Sequence, residues 1–238
     1  MEGIRKTVIV ADMRTAEAGD AAEYLKGKGY DVVTVPSDIC LWDEDALRAW
    51  AGPLIDRVTG VIHPAPPFVG GGIEEITEEQ WDKNAYEGPV AALIVTKVFG
   101  MLMRGTGRGG TIIYLNSVHA EKPVGKGMLY STACGAVQML NREFNQDYGE
   151  FGINTYFIER GPSADDPDMR SDVSPIYYGV DLRYPQRRMP EKGYLNGLIE
   201  FLLTDEAWPL AGSDLRADGG YVAFYGHRRK PERRDGSD

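Results

Sequence analysis

The sequence is short of several things that would have decided its class. It has two cysteines, Cys40 and Cys134, in 238 residues, with no regular spacing. That excludes a disulfide framework and fits a reducing compartment. Its three histidines, His63, His119 and His227, stand far apart and lack the ligand spacing of a metal site, so no metal is expected. Positive charge is the minority sign, 26 Lys and Arg against 36 Asp and Glu for a net charge of −10. This argues against nucleic acid or an anionic membrane as the main partner. Neither a basic segment leading into an apolar one at the start nor an apolar run of about 18 residues is visible, and the expected location is the cytoplasm.

What is present reads as one α/β domain. The length suits a single core. Thr7 to Ala11 is a continuous apolar run, the pattern of a parallel strand buried on both faces. A helix is expected from Ala16 to Lys28, stopped by Gly29, and a second strand from Tyr30 to Val35. Further strands read at Val58 to His63 and Asn154 to Ile158, and a helix at Ser131 to about Tyr148. Residues 1–226 are taken as the domain. The basic run from His227 onward, HRRKPERR, reads as a solvated, disordered tail.

The stretch from Thr111 to Cys134, TIIYLNSVHAEKPVGKGMLYSTAC, sets Ser117 thirteen residues before Tyr130, between a β-branched strand and a small-residue helix. This resembles the core of the short-chain dehydrogenase/reductase family, as do Trp81 with Thr96-Lys97 and the Asp218-Gly219-Gly220 turn. The resemblance covers roughly residues 5 to 225. It implies a Rossmann-like, doubly wound parallel sheet, with the serine orienting a carbonyl or alcohol and the tyrosine moving its proton. The stretch after the first helix, GYDVVTVPSDICLWDEDALRAW, resembles the family's third strand and its acidic turn at Asp38, which implies that one family strand-helix unit is missing; six strands are expected, the second lying directly beside the first at the sheet edge.

The resemblance also marks departures. The family lysine position, one helical turn after the tyrosine, is Cys134, and the family asparagine position is Gly88. A tyrosine titrating near ~10 is ionised in roughly one part in 1000 at pH 7, about 4 kcal/mol short of a ready base. The turn after the first strand reads ADMRTAEAGD. It lacks the family's glycines and sets Asp12, Glu17 and Asp20 where cofactor phosphates would lie; one unscreened like-charge contact at ~5 Å and an effective dielectric of ~20 costs about 3 kcal/mol. Pro64 and Arg160 replace residues that line the cofactor in the family. Gly70 to Gly72 reads as a flexible connector, and Tyr177, Tyr178, Tyr184, Arg187 and Arg188 as loop packing and solvated charge. The resemblance therefore implies no functional catalytic residue, with Ser117 and Tyr130 vestigial, and no cofactor in this chain. It implies a non-catalytic subunit in a hetero-oligomer, a heterotetramer, with an active NAD-dependent dehydrogenase of the same family oxidising a 3-hydroxyacyl-CoA. The alternative is a cofactor-independent enzyme of the same fold, similar to the halohydrin dehalogenases, that uses Ser117 and Tyr130.

Overall fold

The computed structural model describes residues 6–11, 16–37, 39–164, 166 and 183–223. The basic segment 227–238 lies outside them. Six parallel strands form one sheet in the order β2-β1-β3-β4-β5-β6. They are β1 (Thr7–Val10), β2 (Asp31–Thr34), β3 (Val58–His63), β4 (Gly110–Ser117), β5 (Ile153–Arg160) and β6 (Asp214–Ala217). As expected, β2 is the edge and pairs directly with β1, Val8 opposite Val32. The chain runs outward on one side of β1 and returns on the other, so the sheet reverses direction between β1 and β3. In such sheets the carboxyl ends of the strands beside that reversal form the ligand crevice.

Side chains alternate across each strand, and the sheet is apolar on both faces. On one face, Val8, Val10, Ile113 and Ile158 meet Ala18, Ala21 and Leu25 of α1 (Ala16–Gly27) and Ile199 and Leu202 of α6 (Asn196–Leu202). On the other, Ile9, Val61, Ile112 and Phe157 meet Leu47 of α2 (Glu44–Ala51), Val95 and Phe99 of α4 (Ala91–Thr106), and Val137 and Phe144 of α5 (Met128–Tyr148). Each such side chain contributes roughly 1.5–3 kcal/mol by leaving water. Buried Tyr114 of β4 satisfies its hydroxyl on Thr96 of α4.

Two local features position the site. Helix α3 (Glu78–Ala85) starts with a capping box, the Gln80 amide donating to Thr77 Oγ1 at 3.2 Å and the Thr77 amide to Gln80 Oε1 at 2.9 Å. It continues into α4 through a π-helical turn, Tyr86–Val90, which carries Pro89. Proline has no amide to donate and crowds an α-helical turn, and the wider turn accommodates it. The helix is thus unbroken from Glu78 to Thr106 and is long and apolar enough to cross a membrane, contrary to the reading of the sequence. More than half of its apolar stretch is buried within the domain, as in a core helix. Helix α5 begins at Met128, three residues ahead of the expected Ser131. Tyr130 therefore sits in its first turn, with Cys134 one turn on along the same face.

Candidate active site

Strand β4 ends at Ser117, whose backbone is extended and whose Oγ accepts the His119 amide at 3.2 Å. The Ser117 amide donates to Asn116 Oδ1 at 2.8 Å. Helix α5 brings Tyr130 alongside this serine, with Cys134 one helical turn further on. The structure thus brings together the Ser117 and Tyr130 that the sequence sets thirteen residues apart. Both residues are about 5% exposed. Burial drives the Tyr130 phenol far above its ordinary value, the Cys134 thiol adds to the rise, and the Arg160 charge offsets only part of it. Burial likewise pushes the Cys134 thiol up to about 12. At neutral pH the trio is uncharged and can donate and accept hydrogen bonds without a ready base among its members.

Gly88 lies in the π turn against α5. A Cβ there would stand 3.1 Å from the Cβ of Ala133 and 3.2 Å from that of Pro66, so the room a larger side chain needs is filled. One turn earlier, buried Asn84 donates from Nδ2 to the Leu129 carbonyl at 3.0 Å, tying α3 to the residue before Tyr130. Pro64 and Pro66 are buried just beyond β3 and supply no amide donors.

At the end of β5, Arg160 reaches across the crevice. Its Nη1 lies 2.9 Å from Glu17 Oε1 in the first turn of α1, and 2.9 and 3.0 Å from the two carboxylate oxygens of Asp166. The three side chains are only 16%, 11% and 16% exposed. Asp166 also accepts the Ser163 amide at 2.9 Å. Burial raises the Glu17 carboxyl above its ordinary value, a larger effect than the opposing pull of Arg160. The guanidinium stays charged: burial opposes this, and the two carboxylates more than offset it. The unscreened carboxylates expected from the sequence thus need correcting, because Glu17 is paired with Arg160 and Asp20 with Lys192 at 3.0 Å. Asp12 lies outside the described residues.

The far side of the site is aromatic. The Phe68 ring meets the Tyr130 ring edge-on at 5.5 Å, and His119 meets it at 6.1 Å. Burial keeps the His119 imidazole below its ordinary value, more than its contact with the Lys122 carbonyl raises it. Gly70 to Gly72 is another correction: the Gly71 amide donates to the Lys126 carbonyl at 2.7 Å, so the expected flexible connector is pinned. Of the aromatic and basic residues of the polar loop, Tyr177 and Tyr178 lie outside the described residues. Tyr184 is buried, donating to the Pro162 carbonyl, while Arg187 and Arg188 are exposed. Reading the sequence missed Asn84, Phe68, His119 and Asp166 as site residues. Only the aromatic Phe68 in a Pro- and Gly-rich loop carried a signal.

Among known proteins, the family model described as short chain dehydrogenase matches residues 3–175. The chain belongs to the short-chain dehydrogenase family. It is 26% identical over 235 residues to 2-(S)-hydroxypropyl-CoM dehydrogenase 3 of Xanthobacter autotrophicus, covering 94% of this chain and 89% of that protein. To trans-4-hydroxycyclohexanecarboxylate dehydrogenase of Sinomonas cyclohexanicum it is 24% identical over 228 residues, 91% of this chain and 83% of that one. Among solved structures, the gluconate 5-dehydrogenase of Burkholderia cenocepacia, in complex with NADP and tartrate, superposes with a TM-score of 0.82 at 16% identity, over 92% of this chain and 95% of that chain. That likeness shows the short-chain dehydrogenase fold.

Proposed function

We propose that this short-chain dehydrogenase chain is a non-catalytic subunit that assembles with, and stabilises or shapes, an active NAD-dependent member of the family. The observation that carries the reading is the Arg160–Glu17 ion pair, 2.9 Å long and buried, which spans the crevice between β5 and α1. A helix N-terminus attracts anions because its amides and dipole favour negative charge. In this chain the first turn of α1 carries its own carboxylate, Glu17, and that carboxylate is already paired. A dinucleotide would have to displace it and leave Arg160 to Asp166 alone. The residues present do not fit the cofactor, and no step of this chain is routed through it.

Chemistry at the pair is disfavoured on a second ground. With Cys134 in place of a cation beside Tyr130 and burial holding the phenol protonated, neither Ser117 nor Tyr130 is a ready base for taking a proton from an alcohol. The partner supplies both the base and the NAD. Its substrate is a secondary alcohol, in keeping with the alcohol dehydrogenases this chain is similar to. We assign it to the 3-hydroxyacyl-CoA class, of which 2-(α-hydroxybenzyl)succinyl-CoA in anaerobic toluene degradation is the example that the resemblance suggests, with the pair forming a heterotetramer. Both cysteines are free thiols, in keeping with the cytoplasm as its place of work.

A second reading, a cofactor-independent enzyme using Ser117 and Tyr130, is favoured by one observation: the Arg160 charge lowers the phenol's proton affinity, a role a cation on α5 would otherwise have. Against it, Glu17 and Asp166 offset that charge. Titration calorimetry of the isolated chain with NAD and NADP tests the first reading. No heat of binding is expected up to about 1 mM, since displacing one charged contact costs about 3 kcal/mol or more, over a hundredfold in affinity. Saturation below about 100 μM, corresponding to roughly −5.5 kcal/mol, would overturn it.

A further inference from the structure

We propose that residues 64–75 form a strap that closes the substrate side of the Ser117–Tyr130 pair, with Phe68 standing where a substrate would approach the phenol. This side of the site is separate from the Arg160 crevice, and the inference does not depend on whether a cofactor binds there.

The strap is latched by backbone, which side-chain exchange does not loosen. The Gly71 amide donates to the Lys126 carbonyl at 2.7 Å, and Gly71 and Gly127 form an isolated parallel bridge between the loop after β3 and the loop before α5. The Gly72 amide is held by Glu75 Oε2 at 2.8 Å. Two glycines are required by this geometry. Gly71 has φ 153°, a conformation side-chain-bearing residues avoid. At Gly127 a Cβ would stand 2.2 Å from Val124 and 3.1 Å from Phe68, so a side chain there would collide with Val124 and press on the Phe68 ring. Lys126 between them has φ 54° without being glycine, a backbone state that persists only where its surroundings enforce it.

The position of Phe68 gives the latch its consequence. Phe68 is 43% exposed, and its ring meets that of Tyr130 edge-on at 5.5 Å. The phenol beneath is 6% exposed. His119 lines the adjoining wall, its ring 6.1 Å from that of Tyr130. A ligand carbonyl or hydroxyl reaching for Ser117 and Tyr130 from this side must first displace Phe68, whose loop is held in place by the Gly71–Lys126 hydrogen bond. The strap is a closure of the site built from the chain's own loop.

Tyrosine nitration by tetranitromethane reads the closure directly. Tyr130 is the sole tyrosine of the tryptic peptide spanning residues 127–142, and Tyr86 the sole tyrosine of that spanning 84–97. Tyr86 is 50% exposed and serves as the internal standard. In the unaltered chain Tyr130 should be nitrated at least about tenfold more slowly than Tyr86, as local closure protects a buried group. Phe68→Ala and Gly71→Pro should each raise its rate by about tenfold with Tyr86 unchanged. Should Gly71→Pro fail to fold, Phe68→Ala decides alone. Nitration of Tyr130 as fast as Tyr86 in the unaltered chain, or continued protection after Phe68→Ala, would overturn the proposal. Calorimetry with NAD reads the other side of the site, so failure of this inference and failure of the non-catalytic reading are distinguishable.

Discussion

The crevice at the ends of β1 and β5 and the outward face of α4 and α5 belong to one domain and are built in opposite ways. The crevice packs three charged side chains, Glu17, Arg160 and Asp166, each under a fifth exposed. The helical face sets exposed large apolar side chains, Leu93 and Met101 on α4 and Met128 and Met139 on α5, among exposed charges such as Lys97 and Arg142, with Gly135 and Ala136 half-buried. Buried charges must be paired, because desolvating them costs several kcal/mol each. The charges of the crevice are held in pairs accordingly, Arg160 with Glu17 and Asp166. Exposed apolar side chains on adjacent helices carry the reverse signal, that of a surface another chain can cover. The same sheet thus supports an inward region closed by its own charges and an outward region left open.

The largest expected effect sharpens the first half of that contrast. Arg160→Met leaves Glu17 and Asp166 facing each other without a cation, and breaking a buried pair by removing one partner costs about 3 to 5 kcal/mol. Urea denaturation of the variant should show a loss of that order. A loss below about 1 kcal/mol would mean that the pair behaves as an exposed one and that the crevice is not closed by it. The second half is probed by Ala136→Glu. In the isolated chain Ala136 is half-buried, so the glutamate stays solvated and folding should change little. In the complex the charge is trapped, and co-purification with the active partner should fall to background in a pull-down. Retention of the complex would remove this face from the interface.

A smaller effect follows from pH. Burial raises the Glu17 carboxyl above its ordinary 4.5, so the folded chain holds that proton more readily than the unfolded one. The stability this contributes is present below about pH 4.5 and is lost as the pH rises through the folded value. Glutamine, neutral throughout, loses nothing over that interval. Glu17→Gln should therefore gain on the unaltered chain when urea midpoints are compared between pH 4.5 and pH 7. The opposite trend would mean that the Arg160 pairing outweighs burial.

Much of this fold was legible in the sequence, because parallel strands buried on both faces read as short apolar runs and a single helix between two such runs leaves room for no further strand. The edge position of β2 follows from the resemblance of its stretch to the family's third strand, which leaves one strand-helix unit out of the sheet. The start of α5 was misread by three residues because no side chain caps it at Gly127. Ser117 and Tyr130 were legible from their spacing along one strand and one helix. The Arg160–Glu17 pair was not, since only the crossing of the chain between β1 and β5 joins them. Phe68 was hidden for a similar reason, its role depending on Gly71 meeting Lys126 across the mouth.

The measurement that bears most directly on the central claim is turnover of the reconstituted complex with Tyr130→Phe in this chain. Removing the hydroxyl costs about 0.5 to 1.5 kcal/mol of stability if its hydrogen bonds are lost, and the complex should remain assembled. With no chemistry at the Ser117–Tyr130 pair, turnover should stay within about twofold of the unaltered complex, less than 0.5 kcal/mol of barrier. A drop of about a hundredfold, nearly 3 kcal/mol of transition-state stabilisation, in a complex that is still intact would show that this subunit carries out the reaction itself and would contradict the account.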